Sequence, residues 1–185
     1  VGEYVEGFNS FFAHKDKLKD VKIFVTDNTV ATKEQIDQRI LDTIPSDVEI
    51  ITCSNNFYGC QNKGAGDIDQ WKYNGKLISQ YEWFVHHEPR QILLNFDFFE
   101  SFLKNPRNLF TMGNENSFNT GLFAIKSKSL IDFIDSANLE HMVTNRVSIE
   151  YMLYDFMIEN NIDFDVEEKM NVVWLDSYTG QRHSW

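Results

Sequence analysis

Apolar residues recur every three to four positions over residues 4–19, at Val5, Phe8, Phe11, Phe12 and Leu18, which predicts an amphipathic helix. A β-branched and aromatic run follows, Val21-Lys22-Ile23-Phe24-Val25, closed by the polar Thr26-Asp27-Asn28; it predicts a buried strand with a polar tip. Thr32-Lys33-Glu34-Gln35 is a capping pattern for a second helix, with Ile36, Ile40, Leu41 and Ile44 as its apolar stripe and Pro45 as its stop. Residues 48–52 predict a second strand, 54–66 a polar, Gly-rich loop, 67–80 a helix, and 81–87 a third strand ending at Glu88-Pro89-Arg90. Further on, the pattern predicts helices over 98–104, 129–137 and 148–160. A strand is expected over 120–126 after the polar stretch 109–119, and late strands at 163–166 and 172–175.

This alternation predicts an α/β fold, a mostly parallel doubly wound sheet with flanking helices. Such sheets bind ligands outside the carboxyl ends of their strands. Asp27, the loop 54–66 and residues 86–90 are therefore expected to lie close together.

Composition adds three restrictions. The chain has 185 residues, 42% of them apolar and 15% aromatic, with only three Pro and nine Gly, so a single domain with a substantial core is expected and global disorder is excluded. The formal net charge of −11 disfavours nucleic acid as the main partner; the most basic segment, 14–19, is interrupted by Asp16 and reads as a solvated helix face. No apolar run approaches the ~20 residues of a membrane span. The opening Val-Gly-Glu-Tyr-Val-Glu does not resemble a signal peptide, and Cys53 and Cys60 form no metal or disulfide pattern. A cytoplasmic protein with reduced thiols is expected, with peripheral membrane association left open.

Four constellations carry candidate chemistry. Asn62-Lys63-Gly64-Ala65-Gly66-Asp67 enters a helix with small residues around a position open to left-handed backbone, so its N–H groups and Lys63 can converge on an anion. It lacks both the Walker A ending and the three-glycine dinucleotide spacing, and it reads equally as an ordinary turn. His86-His87-Glu88-Pro89-Arg90 closes a strand, where an imidazole and a carboxylate suit a divalent cation or a proton relay. Strand alternation puts His86 and Glu88 on one face and His87 on the other. Asn114, Asn116, Asn119 and Thr120 offer the mixed donors and acceptors that sugar hydroxyls need, and that turns need too. Ser148-Ile149-Glu150 opens a helix, where an acid also serves capping and the dipole.

Taken in order, these segments resemble the GT-A fold of nucleotide-sugar glycosyltransferases. Val25-Thr26-Asp27-Asn28 resembles the strand whose terminal acid holds the nucleotide, and Asn62-Lys63-Gly64-Ala65-Gly66 the segment beneath it. Trp83-Phe84-Val85-His86-His87-Glu88-Pro89 stands where the family has its Asp-x-Asp metal motif. Asn119-Thr120-Gly121-Leu122-Phe123-Ala124-Ile125 resembles the acceptor-side strand, and Glu150 falls where inverting members often place a base. Asn62 lies 35 residues after Asp27, and Glu88 lies 26 after Asn62, spacings compatible with the family. The family's first strand has no counterpart here, so the resemblance reads the chain as a fragment or a short variant.

The resemblance implies a nucleotide-binding half over 1–97 and an acceptor-side half over 98–185. It implies a sugar transferase in polysaccharide or glycoconjugate synthesis, with a nucleotide-sugar donor and a saccharide or other hydroxyl acceptor. Asp27, Asn62, Lys63, Gly64, Gly66 and Arg90 would bind the nucleotide. Asn119 and Thr120 would contact sugar, and Glu150 would act as the base. Glu88 and His86 would hold Mn²⁺ or Mg²⁺, or Arg90 would neutralise the diphosphate in place of a metal. The alternatives are a non-catalytic binding module of the same fold and a metal-dependent hydrolase using His86, His87 and Glu88.

Overall fold

The structure is a computed structural model that describes residues 1–175 and 181–184. In chain order its elements are α1 (Gly2–Phe12), β1 (Phe24–Asp27), α2 (Gln38–Leu41), β2 (Glu49–Thr52), α3 (Lys63–Tyr73), α4 (Gly75–Ile78), β3 (Trp83–His87), β4 (Ile92–Leu93) and α5 (Asp97–Lys104). There follow β5 (Leu109–Thr111), β6 (Leu122–Lys126), α6 (Ser127–Ser136), α7 (Leu139–Asn145), α8 (Ile149–Glu159), β7 (Asp165–Glu167), β8 (Val172–Leu175) and β9 (Arg182–Ser184). Two compact units divide these elements: Val1–Ser54, His87–Glu100 and Met170–Trp185 form the first, and Asn55–His86 with Ser101–Lys169 the second.

The first unit contains the parallel pair β1–β2, in register Val25↔Ile50 and Asp27↔Thr52, and the antiparallel sheet β4-β8-β9. Phe8 of α1 meets Ile44 and Val48 in its core, with Ile23, Val25 and Ile50 packed around them. Parallel pairing brings Asp27 and Thr52 to one end, where the Cys53 N–H donates to the Asp27 carbonyl at 3.0 Å.

The second unit holds the four-stranded sheet β3-β6-β5-β7, in which β5 runs antiparallel to β6 and parallel to β7. Leu122, Phe123, Ala124 and Ile125 of β6 are all buried, the continuous apolar run of a strand covered on both faces. Ile149, Leu153 and Met157 recur every fourth residue and form the buried side of α8, while Ala65, Ile68 and Trp71 do the same for α3.

The fold is thus α/β with mixed, partly parallel sheets. Among the described residues the strands sort into three sheets, and the pairing is mixed where a mostly parallel one is expected: β1–β2 and β5–β7 are parallel, and β4–β8, β8–β9 and β5–β6 antiparallel. The expected helix after Thr32 does begin with a capping box to Gln35, but only as a single 3-10 turn over Lys33–Gln35. Ile36 is extended, and the Asp37 carboxylate, accepting from the Arg39 N–H at 2.9 Å, starts the separate α2. The expected helix over 67–80 starts earlier and breaks at Asn74 into α3 and α4. Strand β5, helix α7 and strand β9 are additions that the hydrophobic pattern does not announce. Among the described residues no helix is long and apolar enough to cross a membrane.

Candidate functional site

In the second unit, Asn62 caps α3: its side-chain oxygen accepts from the Ala65 N–H at 3.1 Å. Its amide nitrogen donates to the Met142 and Val147 carbonyls at 3.1 and 3.0 Å. Both amide donors are thereby engaged in holding the start of α3 against the turn that leads into α8. Lys63, Gly64 and Gly66 lie in the first turn of α3, in helical backbone. The left-handed conformation expected near Ala65 is absent, because the Asn62 cap draws these residues into the helix.

The two glycines do sit at close approaches, but between chain segments. A Cβ on Gly64 would lie 2.7 Å from Ile149 Cβ, and one on Gly66 would lie 2.5 Å from Gly59 Cα. Helix α3 can reach α8 and the preceding loop only where side chains are missing. The close approach expected for a nucleotide is used by the fold itself.

Glu150 stands in the first turn of α8, half-buried, as the sequence predicts. The Thr120 hydroxyl donates to its Oε1 at 3.2 Å, and the Ser148 hydroxyl donates to its Oε2. The Phe118 N–H donates to the Glu150 carbonyl at 3.3 Å, tying the turn before β6 to the helix start. Asn119 shapes the same turn: its N–H donates to the Thr111 carbonyl at 2.8 Å, and its side-chain oxygen accepts from the Gly121 N–H at 3.0 Å. The structure therefore gathers Asn119, Thr120 and Glu150, with Ser148, which in the sequence is only a helix opener, as a further partner. The Ser-x-Glu spacing was the available signal for that pairing.

Asp27, Glu88 and Arg90 belong to the first unit. Asp27 Oδ1 accepts from the Thr29 N–H at 2.7 Å and the Thr29 hydroxyl at 2.6 Å, a turn that aims the carboxylate off the end of β1. Arg90 donates from Nε to Glu88 Oε1 at 2.6 Å and pairs with the same oxygen through its terminal nitrogen. Tyr4 of α1 joins this group. Desolvation raises its pKa, Arg90 pulls it back, and the carboxylates of Glu88, Asp27 and Glu3 raise it again. Sequence periodicity alone had no means of finding Tyr4, which reads as one more position on the α1 face.

The two residues expected to hold a cation are occupied otherwise. Glu88 is neutralised by Arg90, whose charge opposes a second cation at the same oxygen. The His86 ring lies among Trp71, Phe84 and Phe123, with centroids 5.3–6.3 Å away. His87 stacks on Phe11 at 5.4 Å, its Nε2 is 2.9 Å from the Gln91 carbonyl oxygen, and burial pushes its pKa down to about 4. Among the described residues no group of three or more His, Cys, Asp or Glu side chains could hold a metal ion. The donor set does not fit a resident divalent cation. Neither Cys53 nor Cys60 forms a disulfide among the described residues.

Of the sequence-predicted residues, Asp27, Glu88 and Arg90 thus lie in one unit and all act electrostatically on Tyr4. Asn62, Lys63, Gly64, Gly66, His86, Asn119, Thr120 and Glu150 lie in the other. No family model matches the chain, and no curated protein or solved structure matches it.

Proposed function

We propose that this chain is a glycosyltransferase of GT-A type that moves a sugar from a nucleotide-sugar donor to an acceptor hydroxyl. The observation that carries this reading is the setting of Glu150: a half-buried carboxylate at a helix start, oriented by the hydroxyls of Thr120 and Ser148 and in no ion pair among the described residues. A positioned carboxylate with neutral partners is suited to take a proton from an attacking hydroxyl. The resemblance in residues 21–176 supplies the substrate class. In this reading Glu150 is the base, Thr120 holds it in line, and Asn119 shapes the turn that presents Thr120.

The nucleotide role of Asp27 and Arg90 rests on the resemblance and on their common electrostatic influence on Tyr4 in the first unit. Arg90 is suited to a diphosphate through its planar fork, provided that the anion competes with Glu88. Asn62, Gly64 and Gly66 act in this reading through the fold: they set the position of α8, and so of Glu150. No step is assigned to a metal. A doubly wound GT-A-like arrangement of the strands is part of the same proposal.

The second reading, a non-catalytic binding module, is favoured by one observation: the Asn62 amide and both glycines, expected at the nucleotide, are engaged in packing. One experiment separates the two. Nucleotide sugars are screened by thermal shift with and without Mn²⁺, and those that bind are incubated with acceptor saccharides while nucleotide release is followed. Acceptor-stimulated release that needs no metal supports the transferase; binding without release in any combination supports the module.

A further inference from the structure

Helices α6 and α8 of the second unit leave between them an open groove of about 850 Å³, which uses α8 from Met152 onward and does not include Glu150 in its lining. Its floor is apolar, formed by buried Phe133 and half-buried Met152, Phe156 and Ile162, with Phe133 and Phe156 edge to face at 5.4 Å. Its rim is acidic: Asp132 on α6 faces the groove with Asp155 and Glu159 on α8. The single lysine in the lining, Lys128, pairs with Asp132 at 2.6 Å on its own helix. Asp155 and Glu159 have no ion pair among the described residues.

Three local choices along this groove run against the stability of the isolated helices. Asp155 and Glu159 are like charges one turn apart, a pairing that destabilises a helix. Glu159 ends α8, and neither α6 nor α8 has a basic residue in its last turn, where the helix dipole favours a cation. Met152, Phe156 and Ile162 remain partly open to water instead of completing the core. Each departure is relieved by the same occupant, one bringing positive charge to the rim and apolar side chains to the floor. Local rules broken together in one place are a mark of function.

We propose that this groove docks a basic amphipathic helix of a partner protein. Lysines or arginines of the partner would pair with Asp155, Glu159 and Asp132. Apolar residues at i, i+3 or i+4, and i+7 would lie on Phe133, Met152, Phe156 and Ile162, the helix-in-groove mode of recognition. The lining extends over nine residues on each side, 128–136 of α6 and 152–160 along α8 and its cap, enough for about two turns of the guest.

The test uses the whole chain and a fluorescein-labelled 14-residue peptide of leucine, lysine and alanine. Leucines are set at helical spacing, and binding is read by anisotropy in low salt. The parent should bind it, and D155K/E159K should bind at least about tenfold more weakly. D20K/E49K, which reverses two exposed acids of the first unit, should stay within about twofold of the parent, separating the groove from the net charge. A peptide of the same composition with the leucines scrambled should bind several-fold more weakly, because charge alone does not fill the floor. If circular dichroism shows D155K/E159K unfolded, the shape-preserving D155N/E159Q must show the loss instead. No binding by the parent, equal loss in D20K/E49K, or equal binding of the scrambled peptide would each overturn the proposal.

Discussion

Glu88 of the first unit and Glu150 of the second are both partly buried carboxylates beside a chain turn, but one is held by a guanidinium and the other by two hydroxyls. A carboxylate facing a guanidinium gains by staying charged and is a poor acceptor of protons. One facing neutral hydroxyls is oriented by donors that carry no net charge. The same residue type is thereby suited to binding and charge balance in the first unit, and to proton transfer in the second. Their surroundings share one device: imidazoles stack on phenyl rings in both, His87 on Phe11 and His14 on Phe96 in the first unit and His86 on Phe84 in the second, where α3 also packs against α8 at Gly64.

The largest expected effect tests the hydroxyl-held carboxylate. Glu150→Gln keeps the shape and the helix start but removes the basicity. Turnover with nucleotide sugar and acceptor should fall on the order of 10²-fold or more, with donor affinity and thermal midpoint nearly unchanged. Thr120→Val should lower turnover less, because Ser148 still holds the other oxygen. A Gln variant with parental turnover would remove the contrast with Glu88.

Gly64→Val probes the glycine packing of the second unit. The new side chain meets Ile149, whose Cβ a Gly64 Cβ would approach to 2.7 Å, so unfolding free energy should drop by about 1–3 kcal/mol in urea titration. Adding Ile149→Ala should restore part of that loss, since the two substitutions share one space. If Gly64→Val is as stable as the parent yet loses nucleotide affinity, the glycine serves a ligand and the packing account fails.

A pH titration reads the first unit. His87 titrates near 4 in the folded chain against 6.5 unfolded, so between those values the unfolded chain binds a proton that the folded chain does not. Stability should therefore fall as the pH drops through this window, by about 1 kcal/mol between pH 6.5 and 5.5, and level off below the folded pKa. His87→Phe, which keeps the stacking on Phe11, should flatten that slope. An unchanged slope would place the titrating group elsewhere.

The smallest effect concerns the ion pair. The Glu88 and Arg90 side chains are 20% and 30% exposed, which limits their attraction through solvent screening. A double-mutant cycle of Glu88→Gln and Arg90→Gln should return a coupling of about 1 kcal/mol. A coupling near zero would show Arg90 unbound by Glu88 and open to an anion.

The sequence alone determined where most elements lie. Period-two and period-3.6 patterns report which side of a segment is buried, so β1, β2, β3, β6, α6 and α8 appear within a few residues of their expected bounds. Glu150 at the start of α8 and Asp27 at the end of β1 were legible for the same reason, since they are positions within an element. The tertiary structure alone decided what those elements pair with and what each polar group meets. Strand β5 is three buried residues long, too short for a pattern, and its direction relative to β6 and β7 is set by pairing partners 15 or more residues away. Gly64 and Gly66 announce a close approach in any sequence, but not its other side; here that side is Ile149 and Gly59. Glu88 and Arg90 resemble ligands of an outside charge until they are seen to neutralise each other. Local order follows from side-chain periodicity along the chain, whereas the charge, space and partners of a site are sums over segments distant in sequence.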